Sequence, residues 1–301
     1  MANFFSQYPG EVSALAAALF WALATVLYAR MGEHISALRL NLLKNVLAGA
    51  MLLITIWAGG DTLADMETKA LVLFILSGAV GIGLGDTAYF AALRYVGARR
   101  ALLLLVLSPP LTALMALFFL GETLAPLAWP GIAFTVAGVA WVITERVAGH
   151  PEPSALRLRG LACALVAVLG QSVGSVLARL AFVETAFSPL SGALFRLAGG
   201  LVVVLIGLPF DSSAPRGRFP NRRGARFWAV LPVAVFVGTY LGIWLQQVSL
   251  KYSAAGIAQT LFATSPLFVL PLAALMGERI SWRAVCGAVL AVGGIALLFM
   301  P

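Results

Sequence analysis

The chain has 301 residues, 61% of them hydrophobic and only 11% charged, with a strongly positive mean hydropathy and a formal net charge of +8. That composition excludes a water-soluble globular domain and marks an integral membrane protein. The positive charge is scattered over short connections with no recognition module to present it, which excludes nucleic acid as a partner.

The opening stretch MANFFSQYPGEV carries no Lys or Arg and no small-residue cleavage pattern follows it, so the first apolar span is expected to be retained. A spanning helix takes about 20 apolar residues. Ten such runs lie near 12–30, 38–57, 70–92, 98–120, 127–144, 160–179, 189–209, 227–248, 254–275 and 283–300. Each run is continuous and lacks the alternation of a transmembrane strand, so the expected fold is an all-α integral membrane protein.

Span one places Trp21, Thr25 and Tyr28 at i, i+4 and i+7, on one helix face. Lys44 in span two and Asp86 near the end of span three are each expected roughly 9–12 Å below the same membrane face at 1.5 Å per residue. A charge at that depth must be paired or face water, so the two are expected either to form a fixed ion pair or to make Asp86 a proton-coupling site. Gly78, Gly81, Gly83 and Gly85 make span three small-sided, which suits close helix packing.

Span four carries Ser108, Pro109 and Pro110, and span nine carries Thr264, Ser265, Pro266 and Pro271. Proline removes a backbone donor and loosens the preceding turn. Spans four and nine are therefore candidate bending gates, with the hydroxyls serving the freed carbonyls or the solute. Gln171 and Ser175 form a polar pair on span six, and span eight has the stripe Tyr240, Trp244 and Gln247. Trp21 and Trp244 lie too deep for an interfacial aromatic belt and are expected to wall a pocket. Arg196 in span seven needs acceptors, which Gln246 or Gln247 at a matching depth could supply, and is expected to hold an anionic group of the solute, the alternative being a side chain that snorkels to the headgroups or bonds helix carbonyls. Glu122 and Glu278 are placed to favour the N-termini of spans five and ten. Cys163 and Cys286 are expected to be two separate buried thiols, with no metal site.

Two stretches repeat each other, LRYVGARRALLLLVLSPPLTALMALFFLGE (Leu93 to Glu122) and LKYSAAGIAQTLFATSPLFVLPLAALMGE (Leu250 to Glu278). More weakly, Arg30 aligns with Arg179 and Lys44 with Arg196. Each copy then holds five spans, giving repeats at 1–149 and 150–301. An odd span number forces the second copy to enter from the opposite face, so ten helices form two inverted five-helix repeats.

The doubled five-span pattern, the mid-span prolines, the Gly-Glu pairs and the Gly-rich closing helices (Gly131 and Gly138; Gly287, Gly293 and Gly294) resemble the EamA-type exporters of the drug/metabolite transporter superfamily. The resemblance covers nearly the whole chain. It implies a secondary active transporter that exports amino acids or other small metabolites across the bacterial cytoplasmic (inner) membrane by alternating access, without a cofactor. Its partners would be a small-molecule solute and membrane lipids, and the expected unit is compatible with a monomer.

Other readings stay open. Phosphorylated metabolites would use Lys44 and Arg196 as ligands, and a channel or lipid scramblase would use the same two halves as a continuous path. An enzyme is disfavoured because His34 and His150 lie in connections and no HExxH motif is present, and an ATP-driven pump because no Gly-rich loop with GK[ST] is present. Most Lys and Arg, including the basic strip Arg216 to Arg226, lie on the odd-numbered connections. The positive-inside bias places those connections in the cytoplasm and both termini outside, whereas the resemblance implies termini inside. A reporter fused after Pro301 should therefore read out on the external side; a cytoplasmic signal would reverse the orientation.

Overall fold

In the computed structural model the described residues are 7–32, 35–59, 67–144, 154–211, 221–268 and 282–300, and every regular element among them is helical. The helices are α1 (Pro9–Gly32), α2 (Ala37–Gly59), α3 (Thr68–Gly78), α4 (Thr87–Leu105), α5 (Ser108–Leu120), α6 (Ala128–Thr144), α7 (Ser154–Glu184), α8 (Pro189–Gly207), α9 (Asn221–Val235), α10 (Gly242–Tyr252), α11 (Ala255–Phe262) and α12 (Trp282–Leu298). A π-helical stretch, Ala79–Asp86, joins α3 to α4, and a second, Phe236–Leu241, joins α9 to α10. Five stretches are long and apolar enough to cross a membrane: Ala37–Gly59, Thr68–Val96, Leu158–Val183, Pro189–Phe210 and Phe227–Tyr252. Four shorter apolar helices accompany them.

Local chemistry sets several boundaries. Ser188 accepts a hydrogen bond from Ser191 N and Pro189 occupies the first turn, so α8 begins there. Gly121 ends α5 in the left-handed region at φ 67°, a conformation that costs glycine nothing.

Contacts along α7 give the chain's direction. Ser77 donates to Gly174 O, Gly85 lies against Gly170, and Val96 lies against Gly160, so the stretch from α3 into α4 runs antiparallel to α7. Ser108 then meets Ser172 at 3.0 Å. The chain has reversed after Val96, inside a stretch that keeps helical structure through 93–97, where the sequence suggested a connection.

Helices α5 and α11, which carry the repeated motif, also pack antiparallel: Gly256 meets Ala113 while Gln259 bonds Ser108. So do α6 and α12, where Gly131 lies against Leu298 and Gly138 against Ala291. The π-helical stretches Ala79–Asp86 and Phe236–Leu241, and the turns at 106–107 and 263–264, recur at the spacing of the sequence repeat.

Several predicted roles change. Pro109 and Pro110 sit in the first turn of α5, after a break at 106–107, and so begin a helix rather than kink one. Pro266 likewise follows a turn at 263–264, with helix resuming at 265–268, while Pro271 and Glu278 lie outside the described residues. Glu122 does not cap the following span. Its Oε2 accepts from Ala255 N at 2.9 Å, at the start of α11, and its Oε1 pairs with Arg179, whose Nη1 donates to the α10 carbonyls of Leu250 and Lys251 at 2.9 and 2.8 Å. One carboxylate and one guanidinium thus tie the end of α10 and the start of α11 to α7.

The α6–α12 seam depends on glycine, since a Cβ on Gly138 would lie 2.4 Å from Ala291 N and 2.5 Å from Gly287 O. Gly138→Ala should therefore destabilise the detergent-solubilised protein by about 1–3 kcal/mol through overpacking. Gly49→Ala, where nothing lies within 4 Å, should leave the melting temperature level or raised. Equal melting behaviour of the two variants would contradict this packing.

Candidate functional site

A cavity lies where the two turns meet α7. Its wall takes Trp21 from α1, Gly85, Asp86 and Tyr89 from the first π-helical stretch and α4, and Leu105, Val106 and Ser108 around the first turn. Ala167 and Gln171 come from α7, and Gln259, Phe262, Ala263, Ser265 and Pro266 from α11 and the second turn. The free space is about 570 Å³, part of it open to the outside.

One side is aromatic. Trp21 lies 6.2 Å from Tyr89 and 6.1 Å from Phe262 between ring centroids, so three rings form one continuous surface. The rest of the wall carries a chain of amides and hydroxyls. Gln171 donates to Gln259 Oε1 at 3.5 Å, Ser175 donates to the same oxygen at 3.2 Å, Gln259 donates to Ser108 Oγ at 3.3 Å, and Ser108 bonds Ser172. Several of these bonds are long, and so cost little to exchange for bonds to a solute.

Among the described residues Asp86 is the one ionisable carboxylate in the wall. Its Oδ2 accepts from Lys44 Nζ at 2.6 Å; Lys44 is fully buried, also reaches Asn45 Oδ1 at 3.4 Å and lies 5.8 Å from the centre of the Phe90 ring. Beside the pair, Asn41 donates to Ile82 O and to Thr87 Oγ1, both at 2.8 Å. The carbonyl of Ile82 belongs to the π-helical stretch, whose wider turns leave carbonyls in need of such donors.

The sequence candidates divide sharply. Trp21, Asp86, Ser108, Gln171, Ser265 and Pro266 line the cavity, and Ser175 supports it from behind through Gln259. Thr25 donates to Trp21 O and stands next to the Tyr89 hydroxyl. Tyr28 is buried, bonded to Thr239 Oγ1 at 2.7 Å and Ala234 O at 3.1 Å, and so fastens α1 to the second π-helical stretch. Thr264 and Ser265 give their hydroxyls to Leu261 O and Phe262 O at 2.6 and 2.7 Å, satisfying carbonyls near the proline.

Tyr240 and Trp244 do not wall this cavity. Tyr240 bonds Thr55 Oγ1 at 2.8 Å and stacks on Phe236, and Trp244 packs beside it, because their face of the eighth span turns toward α2. Gln247 is fully buried and lines no part of the cavity. Arg196, 1% exposed, neither lines the cavity nor snorkels: its Nη1 donates to Gln246 Oε1 at 3.3 Å, and its Nη2 lies under Gly81. The sequence reading missed Tyr89, Gln259 and Phe262. Tyr89 falls three residues after Asp86, on its helix face, and Gln259 is an uncharged polar residue deep in an apolar run; both were available signals.

The model of the EamA-like transporter family matches this chain twice, over residues 8–144 and 158–300. An uncharacterized transporter of Bacillus subtilis (strain 168), YyaM, is 26% identical over 257 residues, which cover 82% of this chain and 79% of that protein. A solved crystal structure, described only as that of a protein, shares the fold over 97% of each chain with a TM-score of 0.76 and 21% identity. The chain belongs to the EamA-like transporter family, within the drug/metabolite transporter superfamily, and is a multi-pass membrane transporter.

Proposed function

We propose that this protein is a secondary active transporter that exports small metabolites, amino acids or related compounds, from the cytoplasm across the inner membrane by alternating access. Its ten spans form two inverted five-helix halves, 1–149 and 150–301, with the solute held between them. One observation carries this reading: the cavity is built from both halves, with Trp21, Asp86, Tyr89 and Ser108 supplied by the first and Gln171, Gln259, Phe262 and Ser265 by the second. The antiparallel packing of α6 against α12, and of α5 in span four against α11 in span nine, supports inversion, because equivalent spans of inverted repeats must run in opposite directions.

The two helix breaks supply the moving parts. Each lies on the cavity wall, and each interrupts backbone hydrogen bonding where the interrupted groups are buried in protein or face the cavity. A small rotation at the 106–107 break opens one side, and the same rotation at 263–264 opens the other. The polar and aromatic sides suit a solute with both kinds of surface. Among the described residues the wall offers a phosphate no cation, since neither Lys44 nor Arg196 lines the cavity.

Purified protein in proteoliposomes should show saturable counterflow of a labelled amino acid or related metabolite. Trp21→Ala should raise the half-saturation concentration about tenfold by removing the largest ring of the aromatic side, with the melting temperature little changed. Unsaturable flux that Trp21→Ala leaves untouched would instead indicate a channel or scramblase.

A further inference from the structure

Asp86 has two oxygens in different surroundings. Oδ2 is held by Lys44, whereas the carboxylate as a whole lines the cavity, and Lys44 is its one hydrogen-bond donor among the described residues. Oδ1 is thus a free, charged acceptor at the wall of a largely apolar chamber. We infer that Asp86 Oδ1 is the recognition point for a protonated amine of the solute, whose apolar body lies on the Trp21, Tyr89 and Phe262 rings. The inference rests on the transporter reading above and narrows its substrate class to ammonium-bearing molecules with an aromatic or branched apolar body.

Charge sign decides the matter. An anion entering the cavity meets Asp86 first, because the two nearby cations lie behind the wall: Lys44 is fully buried, and Arg196 is 1% exposed and lines no part of the cavity. An ammonium gains a charge-assisted hydrogen bond to Oδ1 and the negative faces of aromatic rings. Lys44 does not have to be expelled, since it uses only Oδ2 and keeps Asn45 Oδ1 and the Phe90 ring as further partners. The carboxylate then bridges two cations, a geometry its four lone-pair sites allow. The long amide bonds of Gln171 and Gln259 across the chamber are free to rearrange around the solute's other polar groups.

The test uses full-length protein in detergent at pH 7 and three probes of nearly one shape: 2-phenylethylammonium, neutral 2-phenylethanol and anionic 3-phenylpropanoate. Dissociation constants come from calorimetry. The ammonium should bind at least about tenfold more tightly than either other probe. Asp86→Asn should remove that preference while leaving alcohol binding as it was. Because Asp86→Asn strands the buried Lys44 charge, the paired variant Lys44→Met with Asp86→Asn is measured beside it and should show the same lost preference in a stable fold. A merely structural ion pair would weaken all three probes alike. Equal or tighter binding of alcohol or carboxylate to the wild-type protein, no ammonium binding, or an ammonium preference that survives in the paired variant would each overturn the inference. Counterflow of a labelled metabolite is scored separately, so an absent ammonium preference with intact counterflow sinks this proposal and spares the transporter reading.

Discussion

Everything near the cavity is arranged around the ion pair between Lys44 and Asp86. In hydrocarbon a lone ammonium or carboxylate is costly, so each charge obliges the helix that carries it to stay beside the other. The pair fastens α2 to the end of the first π-helical stretch, and the wider turn there brings the carboxylate to the cavity wall. Asn41 completes the fastening by donating to the carbonyl of Ile82. Removing one partner would leave the other charge buried and unpaired, which is why the two are best exchanged together.

The third span reaches that position only because it has almost no side chains on its inner face. A Cβ on Gly78 would overlap the Arg196 carbonyl, and one on Gly83 would meet Val203 at 2.6 Å. Facing glycines answer from the partner helices: Gly170 and Gly174 on α7, Gly199 and Gly200 on α8. Backbone therefore packs on backbone, with dispersion and close fit replacing the hydrophobic drive that lipid cannot supply. The space left over collects on the far side of Asp86, where the aromatic rings and the two helix breaks stand.

Much of this was legible in the residues. Hydropathy marked an all-α membrane protein because the bilayer allows few compositions for a spanning helix, and the Ser-Pro pairs at 108–109 and 265–266 marked the positions of both breaks. Lys44 and Asp86 stood out because charge is rare at their depth. The errors share one cause. A stripe such as Tyr240, Trp244 and Gln247 says which residues share a helix face, but not which neighbour that face meets, and here Tyr240 meets Thr55 of α2. The sequence placed the reversal at 93–97, where Arg94 and Gly97 interrupt the apolar run, but not the helical structure that continues through it. Glu122 shows the same limit: a capping carboxylate was readable, but the helix it caps, α11, is remote in sequence. Phe262 gave no signal at all, being one aromatic among many in an apolar run.

The central claim is that one cavity is reached from each side of the membrane in turn. Ala263 lines that cavity beside the second break, and a single cysteine there, in a background with Cys163→Ser and Cys286→Ser, reports its exposure. Labelling with a membrane-impermeant thiol reagent would be measured in right-side-out and inside-out vesicles, with and without transported solute. Reaction from both sides, with solute shifting the ratio between them, is the predicted result. Reaction from one side only under all conditions, or equal reaction from both sides that no solute alters, would contradict it.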